Sequence, residues 1–276
     1  MLKKLVKHEF KNTSKIMLAI YALVAVVTLL GTISFAFMEK YENSDFAGYL
    51  GASILVLYVL SIFALFIVTY VYMCVHFYKT MYSDQGYLTH TLPVSPLANL
   101  HVKIGVSFCW LVCSCLVMLL SLLLLLIGAT QGEFFSIFTA ENIALLNAEF
   151  AELDMTLGGI ITLMIVSTLL SCVSYLLMVF ASISIGQLFN QNKIGFSIIA
   201  GIAIYFVQQI AGTLLVSIVM VSSSSSLLDT GVYVETDVPA MLWNQTIVSS
   251  LILSLIFCVA LYVTCNIIVR KHINLD

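Results

Sequence analysis

Residues 104–127 read IGVSFCWLVCSCLVMLLSLLLLLI, a run that contains no Asp, Glu, Lys or Arg. A membrane-spanning helix needs about 20 consecutive, mostly apolar residues, so this run predicts one span. Similar runs recur along the chain, and the predicted spans lie near 16–38, 50–75, 104–127, 157–180, 194–221 and 244–269. The predicted fold is therefore all-α, a polytopic membrane protein with six transmembrane helices in a single transmembrane domain over residues 1–276.

The overall composition agrees with this prediction. Hydrophobic residues make up 61% of the chain and charged residues 9%, whereas soluble domains carry roughly 25% charged residues. This excludes a soluble globular fold, a disordered chain and a collagen-like fibre. Helices are favoured over a β-barrel because barrel strands alternate apolar and polar residues and would keep the chain more polar.

The basic residues predict the orientation. If the chain crosses the membrane at these spans, every Lys and Arg except Lys40 falls on one side, and most acidic residues fall on the other. Lys and Arg are enriched on the cytoplasmic side, so both termini are predicted to be cytoplasmic. Residues 1–15 place Lys side chains around Leu2, Leu5, Val6 and Phe10, which predicts an amphipathic helix in the membrane surface. The alternative is an ordinary basic flank of the first span.

Two connections outside the spans have readable patterns. Residues 139–154 predict a short amphipathic helix, because apolar residues recur along one face with acids on the other. Residues 222–243 begin with a run of serines and predict a flexible linker.

Several kinds of chemistry have no support in the sequence. No predicted span contains Asp, Glu, Lys or Arg, whereas ion-coupled transporters usually keep ionisable residues in the membrane. The phosphate-binding motif G-x-x-x-x-G-K-[ST] is absent, so any energy from ATP must come from another polypeptide. Cys109, Cys113 and Cys115 lie close together on one span, but we interpret them as apolar packing residues. We predict no catalytic, cofactor-binding or metal-ligating residue.

Two spans carry uncharged polar side chains at helical spacing. They are Ser167, Ser171, Ser174 and Tyr175 on span four and Tyr205, Gln208 and Gln209 on span five. Glutamine near mid-membrane is costly unless it is paired or faces a wet cavity. These residues indicate a translocation pathway or a subunit interface. The alternative is packing of small residues with hydrogen bonds between helices.

The connection between spans two and three, residues 76–103, reads HFYKTMYSDQGYLTHTLPVSPLANLHVK. Gly86 permits a tight bend, while Pro93 and Pro96 interrupt helices. Tyr87 and Leu88 are apolar groups on a segment that faces water, which suits docking into the groove of a partner protein. The alternative is a segment that lies against the bilayer surface.

Three motifs in this connection resemble a known family: FYK at 77–79, SDQGYLT at 83–89 and TLPVS at 91–95. They are similar to the permease subunits of ATP-binding-cassette (ABC) transporters of the type-2 exporter class, above all the small bacterial permeases with six spans. The opening segment KHEFK at 7–11 resembles that family as well. Gln85 stands where the family usually has Glu.

The resemblance implies a mechanism and partners. Residues 1–15 become the elbow helix, and the connection 76–103 becomes the coupling loop that docks on a separate ATPase subunit. The coupling residues are Asp84, Gln85, Gly86, Tyr87, Leu88, Thr89, Leu92 and Pro93. A second permease subunit, the same or homologous, is expected, together with membrane lipid and no nucleic acid. ATP and magnesium belong to the ATPase, this chain holds no cofactor and is no enzyme, and the location is the bacterial plasma membrane.

Other functions remain open. One is a non-transporting membrane protein for assembly, immunity or signalling that docks a soluble partner through residues 76–103. An intramembrane enzyme has little support because the spans lack acid–base groups. The substrate of an exporter is not readable, and peptides, lipids, drugs and polysaccharides are all compatible with the sequence.

Overall fold

A computed structural model describes most of the chain. The described residues are 2–40, 45–83, 86, 95–130, 133–151, 156–189, 191–230 and 237–271, and their side chains are described except at 36–40, 45, 47, 137, 223–230, 237–244 and 271. These residues form α-helices and one short 3₁₀ helix, with no strand among them.

The helices follow one another along the chain. In chain order they are α1 (Leu2–Lys40), α2 (Asp45–Met81), α3 (Pro96–Ala129), the 3₁₀ helix Glu133–Phe138, α4 (Ala140–Ala151), α5 (Leu157–Gly186), α6 (Lys193–Thr230) and α7 (Asp237–Lys271). Six of them, all but α4 and the 3₁₀ helix, are long and apolar enough to cross a membrane. This is the helical architecture of a multi-pass membrane protein, and each predicted span lies within one of these helices.

Of the two segments predicted outside the spans, one differs from its prediction and the other agrees with it. The linker predicted at 222–243 is wrong over most of its length, because α6 continues to Thr230 and α7 begins at Asp237. Serine is compatible with this helix because its hydroxyl can bond a carbonyl of the preceding turn, as Ser222 does with Val219 at 2.9 Å. The short helix predicted at 139–154 is confirmed as α4.

The N-terminal segment continues directly into the first span. Helix α1 runs over 39 residues without interruption, so the described residues show no separate elbow helix. The chain divides into two compact units: unit 1 comprises residues 1–77 and 92–139, and unit 2 comprises residues 78–91 and 140–276.

Unit 1 is built on close packing of α1 against α3. A side chain at Gly128 would meet Thr32 at 3.0 Å, so glycine permits the close approach of the two helices. Ser95 caps the start of α3, because its hydroxyl accepts a hydrogen bond from the Ala98 N–H, and Pro96 is the first residue of the helix. Both residues suit a helix start, because Ser95 satisfies a backbone N–H that has no partner within the helix and Pro96 has no backbone N–H to satisfy.

In unit 2, α5 packs against both α6 and α7. Thr156 caps the start of α5 by accepting a hydrogen bond from the Gly159 N–H at 3.2 Å. At the other end, a Cβ on Gly186 would overlap Ser197 Oγ and approach the Lys193 carbonyl oxygen to 2.7 Å. Glycine is therefore required where α5 ends against α6. Within residues 193–222 of α6, all of them described, Ser197 alone is buried.

Candidate functional site

A cavity of about 320 Å³ lies among α5, α6 and α7 of unit 2. Every polar span residue predicted from the sequence lines it except Ser167. We call this cavity the polar groove, and its lining residues are Ser171, Ser174, Tyr175, Tyr205, Gln208, Gln209, Gly212, Ser250, Leu253, Ser254 and Phe257. The structure thus brings together side chains that the sequence placed on two separate spans.

The polar groove lies near the middle of its helices. Ser174 lies about 18 Å from the end of α5 at Gly186, by the rise of about 1.5 Å per residue in an α-helix. Tyr205 lies about 18 Å from the start of α6 at Lys193 by the same rise. Because α5 has 30 residues, these positions fall at mid-span rather than at a helix end.

The groove offers hydrogen-bonding groups without charge. The Gln209 amide donates to the Tyr205 hydroxyl at 3.0 Å, and Ser250 Oγ donates to the Ile247 carbonyl of its own helix at 2.8 Å. Tyr175 and Tyr205 are 47% and 42% exposed, so their rings form an accessible part of the surface. No Asp, Glu, Lys, Arg or His is among the lining residues.

Helix α7 adds two polar lining residues that sequence reasoning missed, together with Leu253 and Phe257. Ser250 and Ser254 lie four positions apart within the sixth predicted span and line the groove together. This spacing, which puts both hydroxyls on one helix face, was the available signal. Ser167, which lies outside the lining, donates its hydroxyl to the Met164 carbonyl at 3.0 Å.

Most of the predicted coupling residues lie outside the described residues. These are Asp84, Gln85, Tyr87, Leu88, Thr89, Leu92 and Pro93. Gly86 is described and buried, and its N–H donates to the Ser83 carbonyl at 2.6 Å, which forms a tight turn.

Just before this turn, Tyr82 fixes the segment to α5. The Tyr82 side chain is buried, and its hydroxyl donates to Ser184 Oγ at 2.8 Å. Ser184 in turn donates to the Phe180 carbonyl at 2.8 Å. Burial raises the pKa of the Tyr82 hydroxyl, so the group stays protonated and can act as the donor. The part of the 76–103 connection that directly follows α2 is therefore anchored within unit 2.

Unit 1 contains a buried charged group that sequence reasoning missed. Oε1 of Glu9 on α1 lies 2.9 Å from Lys103 Nζ on α3 and 2.7 Å from His76 Nε2 on α2. We call these three residues the carboxylate cluster. The Lys103 side chain is 3% exposed, so its positive charge is nearly removed from solvent, and the Glu9 carboxylate lies close enough to compensate it.

Hydrogen bonds between uncharged groups continue from this cluster along α1 and α3. Thr13 Oγ1 donates to the Glu9 carbonyl at 2.9 Å and accepts from Trp110 Nε1 at 2.8 Å. The Tyr21 hydroxyl then lies within hydrogen-bond distance of the Trp110 carbonyl and of Ser114 Oγ, at 3.1 and 3.0 Å. Polar groups of unit 1 are thereby paired with one another across the helices.

Two further features of unit 2 lie near the start of α6 and just after the end of α5. A cavity of about 560 Å³ is lined by Tyr78 and by residues 192–196 and 199. Gln187 is almost fully buried, and neither of its amide atoms has a hydrogen-bond partner among the described residues. Within the described part of the chain, no three His, Cys, Asp or Glu side chains are placed to share a metal ion.

Comparison of the chain with protein-family models, curated proteins and solved structures finds no match in any of the three.

Proposed function

We propose that this chain is the membrane-spanning permease subunit of an ABC exporter of the type-2 class. A separate ATPase subunit binds the 76–103 connection, and a second permease subunit completes the transporter. ATP and magnesium bind to the ATPase, and this chain catalyses no reaction. The location that accompanies the proposal is the bacterial plasma membrane, with both termini cytoplasmic and residues 1–15 as the elbow segment.

The observation that carries the proposal is the polar groove. A groove with hydroxyl and amide groups at mid-span is costly in a bilayer unless it is covered or binds something. Its lining residues hold no carboxylate, amine or imidazole that could carry a coupling proton or ion. A substrate path without such groups fits a transporter whose energy comes from another subunit.

The anchoring of Tyr82 supports the role of the 76–103 connection. A segment that transmits movement must be attached firmly to the helices that line the path. Tyr82 is bonded to α5 through Ser184, and α5 also contributes Ser171 and Ser174 to the polar groove. Movement of the connection would therefore reach a helix of the groove directly.

The proposal is tested by reconstitution. The chain is expressed with candidate ATPases from the same source, purified, and placed in proteoliposomes, where ATP hydrolysis is measured. The double substitution Tyr87→Asp and Leu88→Asp is expected to abolish co-purification of the ATPase, because two charges replace the apolar docking groups. Leu145→Asp on α4, at a site that is 60% exposed, is the matched control and should retain the ATPase.

Two results would contradict the proposal. One is that no ATPase co-purifies with the wild-type chain. The other is that the Tyr87/Leu88 variant binds and stimulates the ATPase as well as the Leu145 variant does. Binding of a soluble partner without ATP-dependent movement of any solute would instead favour the non-transporting membrane protein.

A further inference from the structure

The chemistry of the polar groove restricts what it can bind. Its polar atoms are the hydroxyls of serine and tyrosine and the amides of Gln208 and Gln209. An amide both donates and accepts hydrogen bonds. The Ser250 hydroxyl donates within its own helix, which leaves its oxygen as an acceptor. These groups match a ligand that carries hydroxyl groups of its own.

The depth of the groove argues against a charged ligand. At mid-span an ionic group requires an opposite charge or access to water, and none of the lining residues supplies a charge. A phosphate, carboxylate or ammonium group would lose its hydration without gaining an ionic partner. A neutral hydroxyl-bearing group exchanges hydrogen bonds with water for hydrogen bonds with the lining residues at far lower cost.

Aromatic rings make a sugar ring the best match among neutral groups. Tyr175, Tyr205 and Phe257 line the same groove as the serine and glutamine side chains. A pyranose has an apolar C–H face, which packs on an aromatic ring, and a rim of hydroxyls, which bond to amides and hydroxyls. A volume of about 320 Å³ is at the lower end for a ligand site and suits one or two sugar rings.

Apolar side chains on other faces of α6 and α7 lie at the level of the groove and make the outer surface of these helices apolar. Phe206 and Ile210 on α6 are 58% and 57% exposed, and Ile252 and Ile256 on α7 are 57% and 56% exposed. At the same depth as the groove, this surface faces the acyl chains of a bilayer. A head group in the groove can therefore remain attached to a tail that stays in the hydrocarbon.

We propose that the polar groove binds the uncharged glycosyl head group of a lipid. The inference rests on the proposed function only in treating the groove as the substrate path of an exporter. Binding itself needs no ATPase, so the two proposals can fail separately.

The test measures lipid retention. The full chain is placed in nanodiscs of dioleoylphosphatidylcholine that contain a minor share of either glucosyl dioleoylglycerol or dioleoylphosphatidylglycerol. Lipids that stay bound after transfer to detergent are counted by native mass spectrometry. We expect the wild-type chain to retain the glucosyl lipid in preference to the anionic lipid with the same acyl chains.

Variants locate the binding to the groove. The double substitution Gln208→Leu and Gln209→Leu should lower retention of the glucosyl lipid about fivefold or more, as expected for the loss of one or more hydrogen bonds. Ser217→Ala is the matched control, because Ser217 lies on α6 outside the lining and bonds its own helix at Thr213. It should retain the lipid as the wild type does.

Two outcomes would overturn the inference. One is that the wild-type chain retains both lipids equally, and the other is that the glutamine variant retains the glucosyl lipid like the control. If the glutamine variant in the second case also loses a dimer seen by light scattering, the groove is a contact between two copies of the chain. ATPase binding through residues 76–103 is unaffected by any of these outcomes.

Discussion

The two units use polar side chains in opposite ways. In unit 1 the polar groups of the carboxylate cluster are buried and paired, with Glu9 bonded to both His76 and Lys103. In unit 2 the polar groups of the groove are uncharged, and several are exposed at mid-span. A buried, satisfied pair contributes to holding helices together, whereas accessible neutral groups remain available for another molecule. The contrast is the basis for the proposal that the groove of unit 2 binds another molecule, whereas the carboxylate cluster holds the helices of unit 1 together.

Lys103→Met should have the largest effect on stability, because it breaks the buried pair of Glu9 and Lys103 on which this contrast depends. It leaves the Glu9 carboxylate buried with less compensation, and breaking a buried ion pair typically costs about 3–5 kcal/mol. Thermal unfolding in detergent, followed by tryptophan fluorescence, measures the loss. Lys79→Met, at an exposed position of α2, is the control.

A combined Glu9→Leu and Lys103→Met variant sharpens this test. Removing both charges removes the unpaired group, so the double variant should be more stable than Lys103→Met alone. If Lys103→Met unfolds at the same temperature as Lys79→Met, the carboxylate cluster does not hold unit 1 together.

Gly186→Ala should have the next largest effect, and it tests the packing of unit 2 without changing any polar group. The new Cβ meets Ser197 Oγ and the Lys193 carbonyl, and such overpacking costs about 1–3 kcal/mol. Gly158→Ala on the same helix has nothing within 4 Å of the new Cβ and serves as the control. Thermal unfolding followed by circular dichroism compares them, and equal midpoints would show that the α5–α6 junction can relax.

Tyr82→Phe should have a smaller effect and lower the free energy of unfolding by about 1 kcal/mol, because it removes the hydrogen bond to Ser184 and keeps the buried ring. Tyr49→Phe, at a site that is 77% exposed, should leave stability unchanged. In the reconstituted transporter, Tyr82→Phe should also weaken the coupling of ATP hydrolysis to transport. If the Tyr82 and Tyr49 variants couple ATP hydrolysis to transport equally well, the hydrogen bond from Tyr82 to Ser184 has no part in the proposed mechanism.

Gln209→Leu should change stability least, by less than about 0.5 kcal/mol, because the side chain is exposed. Its effect should appear in lipid retention or transport instead. If Gln209→Leu lowers the unfolding temperature as much as Lys103→Met does, the groove is a structural element like the carboxylate cluster and the contrast between the units is wrong.

The sequence was sufficient to predict the six long helices and the polar residues that α5 and α6 contribute to the polar groove. Gaps between charged residues locate membrane helices because the bilayer excludes charge over a fixed thickness. The ends were harder to predict, since a helix continues past its apolar part wherever its backbone hydrogen bonds are satisfied. This is why α1 includes the lysines of residues 3–15 and α6 includes the serines of residues 222–226.

The pairing of Glu9 with Lys103 could not be predicted in the same way, because it depends on tertiary packing between distant positions. One signal was present: Glu9 is the single acidic residue in 1–38, and Lys103 is the single charged residue between 85 and 132. A charged side chain that becomes buried favours pairing with an opposite charge. The α7 wall of the groove was missed because serines alone are common in helix packing.

The carboxylate cluster also has a consequence for biosynthesis. Glu9 and Lys103 are 94 positions apart, so at ordinary rates of translation the carboxylate is made about 5–20 s before its ammonium partner. Until then, His76 on α2 is the partner that the cluster provides for it. A nascent chain that is arrested before the third helix is made therefore carries Glu9 without its Lys103 partner.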